Sequence, residues 1–145
     1  MKCLIAAAVG LVLIGPVAEA NAEAFLCVGQ LSTGFGWADG KWQVRAFGVE
    51  DRVFVLQPGM ADEYTVTRIG DAAPSHYCPA LRPTDGSVRL LCGGLGNGFS
   101  FSSRTLRFQE NYGIGYVDAA NGSANMPYLL IGKCTKLDLR GILQE

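Results

Sequence analysis

The sequence has very little histidine and no regular cysteine spacing, and both absences bear on catalysis and metal binding. His76 is the one histidine, and no two cysteines are spaced as CxxC. A hydrolase needs a base held between a nucleophile and an orienting acid, and a zinc site needs a matched set of thiolate and imidazole ligands. His76 follows Ser75, but neighbours in sequence rarely form such a geometry. We therefore expect no metal, no cofactor and no enzymatic activity.

Charge of one sign is not in excess either. The chain has 12 Lys and Arg against 13 Asp and Glu, a formal net charge of −1. A nucleic-acid-binding protein carries a basic stripe or patch, so we expect no nucleic-acid partner. Arg104, Arg107 and Lys133 would form a small basic patch if their strands align, and a solvated face is the simpler interpretation. The glycine run of residues 93–98 lacks the Lys-Ser or Lys-Thr ending of a phosphate-binding loop.

Helical periodicity is the third absence. Beyond the first two dozen residues, an apolar period of 3.6 residues nowhere persists over ten residues. Short alternating segments separated by Gly and Pro turns predict strands instead. We predict an all-β fold with little helix, an antiparallel barrel or sandwich of seven or eight strands. The predicted strands cover residues 25–30, 42–49, 53–56, 64–69, 87–92, 99–102, 105–108 and 128–139. Residues 112–116 show a further strand-like alternation, with two glycines on one face.

What is present begins with an export signal. Lys2 precedes an apolar run over residues 4–14, and small residues follow at the spacing that signal peptidase recognises. Cleavage is expected after Ala22, with Ala20 and Ala24 as alternatives. The run is too short for a membrane-spanning helix, which needs about 20 apolar residues.

The export signal divides the chain into a signal peptide, residues 1–22, and one all-β domain, residues 23–145. Bulky Phe25 and Leu26 precede Cys27, which argues against a lipid anchor. We expect a protein of the periplasm or the secreted fraction without a membrane anchor after cleavage.

Four cysteines remain after Cys3 leaves with the signal peptide. An even number in an oxidising compartment predicts two disulfides, and four cysteines allow three connectivities. We favour the nested pairing, Cys27 with Cys134 and Cys78 with Cys92, because it ties the first strand to the last and closes a short loop around a turn.

Two dipeptides predict tight hairpin turns. Asp39-Gly40 and Asn97-Gly98 both tolerate the positive φ angles that such turns require. Residues 70–86 carry three prolines and are predicted as a long irregular loop held by Cys78.

Strand aromatics, glycines and cysteines also carry a family resemblance. They are Phe25-Leu26-Cys27, Thr33-Gly34-Phe35, Gly40-Lys41-Trp42, Leu91-Cys92 with Phe99 and Phe101, Leu106-Arg107-Phe108, Gly115-Tyr116 and Ile131-Gly132-Lys133-Cys134. The pattern resembles a family of small exported, disulfide-containing proteins of Gram-negative bacteria with no assigned function. The size, the cysteine near each end and the all-β pattern also resemble, more weakly, the periplasmic inhibitors of c-type lysozyme.

Three functional hypotheses follow. The first is a non-enzymatic binding or inhibitor module that contacts an envelope or extracellular protein through loops such as 70–86 or 118–127. The second is a carrier that holds a small apolar ligand inside the barrel, and the third is an enzyme of unknown class. The candidate lining residues of the carrier are aromatic: Trp37, Trp42, Phe99, Phe101, Tyr112 and Tyr116.

Overall fold

A computed structural model describes residues 23–118 and 125–138 of the chain. The predicted signal peptide, residues 1–22, lies outside the described residues, and so does most of the predicted loop 118–127. No helix in the described part of the chain is long and apolar enough to span a membrane.

The described residues form nine strands and one short helix. In chain order these elements are β1 (Ala24–Ala38), β2 (Lys41–Ala46), β3 (Val53–Pro58), β4 (Glu63–Arg68), β5 (His76–Leu81), β6 (Arg89–Gly94), β7 (Asn97–Ser102), β8 (Arg107–Tyr112), α1 (Ile114–Asp118) and β9 (Tyr128–Leu137).

Eight of the strands close into an antiparallel barrel. β1 pairs with β3, each strand from β3 to β9 pairs with the next, and β9 returns to β1. The closing ladder runs from the Ala24–Leu137 pair to the Gly34–Tyr128 pair. The predicted all-β fold with little helix is confirmed, and of the two predicted architectures, barrel or sandwich, the chain forms the barrel. Closure leaves each barrel strand paired on both sides, which removes exposed edges.

The ninth strand, β2, lies outside the barrel. β1 is 15 residues long, and its second half turns back through Asp39 and Gly40 to pair with β2 from Thr33 to Ala38. Both turn residues have positive φ, 51° and 73°, as the Asp-Gly signal predicts for a two-residue hairpin. The chain therefore carries a β1–β2 hairpin that projects from the barrel.

The predicted turn at Asn97-Gly98 is displaced by two residues. The hairpin between β6 and β7 turns at Leu95 and Gly96, whose φ angles are 51° and 83°, and Asn97 already belongs to β7. A Cβ on Gly98 would meet the Asn111 side chain at 2.8 Å, so the glycine serves strand packing instead of the turn.

Two other local predictions were wrong. The supposed loop 70–86 contains β5, because His76–Leu81 pairs with β4 on one side and β6 on the other. The strand-like segment 112–116 is strand only at Tyr112, where β8 stops, and α1 begins two residues later. A side chain at Gly115 would collide with the backbone oxygen of Asn125, so the close approach of the chain to α1 requires glycine there.

Both disulfides have the predicted nested connectivity. Cys27 is bonded to Cys134 and Cys78 to Cys92. Cys27 and Cys134 are direct neighbours across the β1–β9 ladder, where the barrel closes. Structural disulfides form in oxidising compartments, so the two bonds indicate a non-cytoplasmic environment.

Aromatic rings fill the barrel interior. Phe54, Phe99 and Phe108 lie within 5.4 to 5.7 Å of one another, and Phe25 contacts Phe101 at 4.7 Å. Each of these rings is at most 3% exposed. A small eight-stranded barrel is just wide enough for side chains to fill, and here they do so through the middle of the barrel.

Candidate functional site

Apolar side chains run across the outside of β2, β1 and β9. Three pairs stand directly opposite each other in these ladders, Leu31 with Ile131, Phe35 with Val44 and Trp37 with Trp42. Side chains of paired residues share a face of the sheet, and alternate residues along a strand share it as well. Together with Leu129, which pairs with Thr33 on the same side, these six residues form what we call the apolar face.

The apolar face is open to solvent. Phe35 is 50% exposed and Val44 74% exposed, and Leu31, Leu129 and Ile131 are exposed as well. Single exposed apolar residues are ordinary, but contiguous apolar patches on soluble proteins mark interaction sites. A groove of about 410 Å³ runs along this face, with Phe35, Val44 and Leu129 among its lining residues.

The edge of β2 adds backbone groups to this surface. Within the described residues, β2 pairs only with β1, so its other edge has no strand partner. Lys41 and Arg45 are exposed on this strand. Charged side chains, above all lysine, are a common protection of free edges against unwanted strand pairing.

A second concavity, which we call the polar cleft, lies at the barrel end next to the groove. It has a volume of about 520 Å³ and is lined by residues that point inward from the ends of several strands, among them His76, Asn97, Glu110 and Tyr128. Tyr112 and Tyr128 line both the cleft and the groove. The two concavities are therefore neighbours on one side of the molecule.

Glu110 is the buried acid of the polar cleft. Its residue is 7% exposed, and its Oε2 accepts a hydrogen bond from the Tyr128 hydroxyl at 3.2 Å. Arg52 donates to the same hydroxyl oxygen at 3.3 Å and lies 4.9 Å from the centre of the Tyr128 ring. Burial raises the pKa of the Glu110 carboxyl, although the Tyr128 hydrogen bond and the Arg52 and Arg68 charges oppose that shift.

Tyr128 stays protonated over the whole physiological range. Burial and the neighbouring Glu110 raise the pKa of Tyr128 to about 12. Its hydroxyl is therefore a permanent donor to the carboxyl, and its ring stacks on Tyr112 with centroids 5.7 Å apart.

His76 and Ser75 form a hydrogen bond, although they are sequence neighbours. Ser75 Oγ lies 3.0 Å from His76 Nδ1, and the same hydroxyl donates to the backbone oxygen of Val66 at 3.1 Å. The hydroxyl has a single proton, which it can donate either to the Val66 oxygen or to Nδ1, and the tautomer of the imidazole decides between the two. Burial lowers the pKa of His76, which favours the neutral ring.

The six aromatic residues predicted as ligand-lining fall into three groups. Phe99 and Phe101 are core residues of the barrel. Tyr112 lines the polar cleft. Trp37, Trp42 and Tyr116 cluster outside the barrel, with Trp42 5.5 Å from Trp37 and 5.4 Å from Tyr116.

No protein-family model, curated protein or solved structure matches this chain. The resemblance to small exported proteins of Gram-negative bacteria, and the weaker one to inhibitors of c-type lysozyme, stay predictions.

Two of the three residues considered for a basic patch are neighbours in the sheet. Arg107 and Lys133 stand directly opposite each other on β8 and β9, and neither forms an ion pair with a described carboxylate. Arg104 lies in the turn before β8 and is 3.7 Å from Asp85. No three His, Cys, Asp or Glu side chains in the described ranges could hold a metal ion.

Sequence reasoning missed Arg52, Glu110 and Tyr128, which form the polar cleft's hydrogen-bonded chain. One signal was available for Glu110, since it alternates with Phe108 and therefore shares the inward face of β8. Arg52 and Tyr128 lie at strand ends, where a polar residue usually signifies solvent.

Proposed function

We propose that this chain is an exported, non-enzymatic binding protein of the periplasm or the secreted fraction, and that a partner protein docks on the apolar face. The observation that carries this proposal is the alignment of seven apolar side chains on the outside of a barrel whose inside is already filled with aromatic rings. These side chains have no core to enter, so a partner is what would remove them from water.

The β1–β2 hairpin supports one way in which such a partner would dock. An extended segment of the partner would pair with the free edge of β2 and place its alternate apolar side chains against Phe35 and Val44. Lys41 and Arg45 flank that edge, so acidic side chains suit the partner segment. Backbone pairing would supply affinity, and the groove would supply specificity.

The alternative hypothesis, a carrier of small apolar molecules, would use the same groove. The rings of Phe54, Phe99 and Phe108 occupy the barrel interior, whereas the groove is lined by Phe35, Val44 and Leu129. Both hypotheses therefore use the same groove, and they differ in whether a partner protein or a small apolar molecule binds there.

Site-specific photo-cross-linking in the living host tests the proposal. A benzophenone amino acid replaces Val44 on the apolar face or Leu81 on β5, an exposed apolar position that lines neither the groove nor the polar cleft and serves as the matched control. We expect a protein adduct of one discrete mass from position 44 only, and loss of that adduct when Phe35→Asp is added. Equal adducts from both positions, or none from position 44, would contradict the proposal.

Mass spectrometry of the same sample separates the alternatives. An adduct of a few hundred daltons in place of a protein would favour the carrier. The mass of the uncross-linked protein from the periplasmic or culture fraction also tests export, because cleavage after Ala20, Ala22 or Ala24 leaves three distinguishable masses.

A further inference from the structure

We infer that the polar cleft binds a neutral saccharide, independently of the partner proposed for the apolar face. The cleft has the size of small-molecule sites in proteins, which run from about 300 to 1,000 Å³. Its polar atoms and its rings together determine the chemistry of the occupant.

One buried atom of the cleft is a hydrogen-bond acceptor without a donor. The side-chain oxygen Oδ1 of Asn97 is buried and receives no hydrogen bond within the part of the chain that the structure describes. A buried polar atom left unpaired is costly, and native proteins satisfy nearly all of them. Asn97 lines the cleft, so a ligand that donates a hydrogen bond there would remove this cost.

Further groups of the cleft can also accept a hydrogen bond. The imidazole of His76 lines the cleft with its Nδ1 hydrogen-bonded to Ser75 Oγ, and Tyr77 and Tyr112 bring hydroxyls that both accept and donate. Glu110 presents carboxyl oxygen, and the amide nitrogen of Asn111 is already used by the backbone oxygen of Gly96. A sugar suits this set, because each of its hydroxyl groups can donate as well as accept a hydrogen bond.

The charges around the cleft favour a neutral ligand. A cationic amine would also donate, but Glu110 already lies in the field of the Arg52 and Arg68 guanidinium groups, which repel a second cation. Arg68 in turn pairs with Asp71 at 2.9 Å and with Asp51 at 3.7 Å, so these carboxylates balance its charge. A neutral ligand with many donors fits better than a charged one.

The ring of Tyr112 is half-buried and borders the cleft. The face of an aromatic ring carries negative potential and attracts polarised C–H bonds. A sugar ring has hydroxyl groups at its rim and C–H bonds on its faces, so it matches acceptors beside an aromatic side chain.

Binding without cleavage is what the cleft provides. Glycoside hydrolysis in most enzymes uses two carboxyl groups on opposite sides of the scissile bond. Among the described residues that line the cleft, Glu110 is the one carboxyl.

Amide-resolved NMR of the mature, oxidised protein tests the inference. The probes are glucose, N-acetylglucosamine and their β-linked dimers, with spermidine and inorganic phosphate as charged probes. We expect saturable shifts centred on Asn97, Glu110 and Tyr112 with at least one sugar, and none there with the charged probes. The absence of such shifts with every sugar would overturn the inference, and so would binding of spermidine at these residues without binding of a sugar.

Asn97→Leu gives a second readout that does not depend on a damaged fold. The substitution removes the unpaired acceptor at similar size, so we expect a higher unfolding midpoint together with sugar affinity at least about tenfold lower, the loss of one good hydrogen bond. Gln109→Ala, on the outward face of the same β8 strand as Glu110, is the matched control and should leave affinity unchanged. Unchanged affinity in Asn97→Leu would refute the role of its oxygen.

Discussion

Removing the Cys27–Cys134 disulfide should destabilise the protein more than removing Cys78–Cys92. The two pairs close loops of very different length, with sequence separations of 107 and 14 residues. In the chain-entropy model a cross-link stabilises by restricting the unfolded chain, and the restriction grows with the logarithm of the loop length.

The magnitude follows from those lengths. The long loop corresponds to about 4.8 kcal/mol and the short loop to about 3.0 kcal/mol, so the expected difference in the free energy of unfolding is about 1.8 kcal/mol. Three of the four cysteines are fully buried or nearly so, and Cys92 packs against the same core. Replacing either pair by alanine therefore vacates a similar volume. The difference in the free energy of unfolding between the two variants then reports the difference in loop-closure entropy.

Guanidinium unfolding, followed by the fluorescence of Trp37 and Trp42, measures both double alanine variants against the oxidised wild type. We expect both variants to show larger m-values, because their unfolded chains are less compact, and Cys27→Ala/Cys134→Ala to be the less stable. If Cys78→Ala/Cys92→Ala proved equally or more destabilised, the loop-entropy reasoning would fail for this barrel.

Three further substitutions have outcomes of defined sign. Lys133→Glu converts the like-charged pair with Arg107 into an ion pair, and we expect about 0.5 kcal/mol of stabilisation at low salt that fades at high salt. Gly132→Ala places a Cβ against the Phe108 ring and a backbone oxygen, and we expect thermal unfolding to show a cost of about 2 kcal/mol. Glu110→Gln removes a carboxyl whose pKa is raised on folding. Relative to that variant, the wild type should be most stable below the usual glutamate pKa and should lose stability as the pH rises through the raised value, as guanidinium unfolding at several pH values will show.

Each of these substitutions has a matched control. Lys41→Glu changes a lysine that stands across from alanine and should have little effect, and Gly94→Ala enters open space and should be tolerated. Tyr128→Phe removes the hydrogen bond that lowers the Glu110 pKa and should extend the pH dependence to higher pH. The charge argument would be contradicted if the stabilisation by Lys133→Glu did not depend on salt. The packing argument would be contradicted if Gly132→Ala and Gly94→Ala cost the same stability, and the titration argument if the effect of Glu110→Gln did not depend on pH.

Features that depend on local chemistry were predictable from the sequence. Asp39-Gly40 marks a turn because few other pairs accept positive φ at both positions, and the alternation of Phe99 and Phe101 marks an inward face. The disulfide pairing was also accessible, since Cys27 and Cys134 lie on strands that must meet if a barrel closes.

Features that depend on strand neighbours were not predictable in this way. The turn was predicted at Asn97-Gly98 but lies at Leu95-Gly96. Leu95 adopts a positive φ angle there, and nothing in the sequence signals that conformation for a leucine. β5 contains Pro79, which argues against a strand in isolation, yet both of its neighbours pair with it.

The candidate sites depend mostly on strand neighbours and therefore could not be predicted from local sequence. Trp37 and Trp42 were expected to line the barrel interior, but they lie outside it. β1 is 15 residues long and its second half extends beyond the barrel, which the sequence does not reveal. Glu110 and Tyr128 come together because β8 and β9 are neighbours in the closed sheet, and Arg52 reaches them only because the barrel closes. Closure is a property of the whole chain and has no local signature.

The length of β1 also has a mechanical consequence. A load applied to the tip of the hairpin at Asp39 is directed along β1, and the ladder to β9 resists it in shear, with many hydrogen bonds loaded together. At the far end of that ladder the covalent bond between Cys27 and Cys134 stops β1 from sliding out of the barrel. The β1–β2 hairpin proposed for docking is thus anchored in the barrel at its base. A force applied to a bound partner along the axis of β1 would deform the hairpin before it opened the barrel.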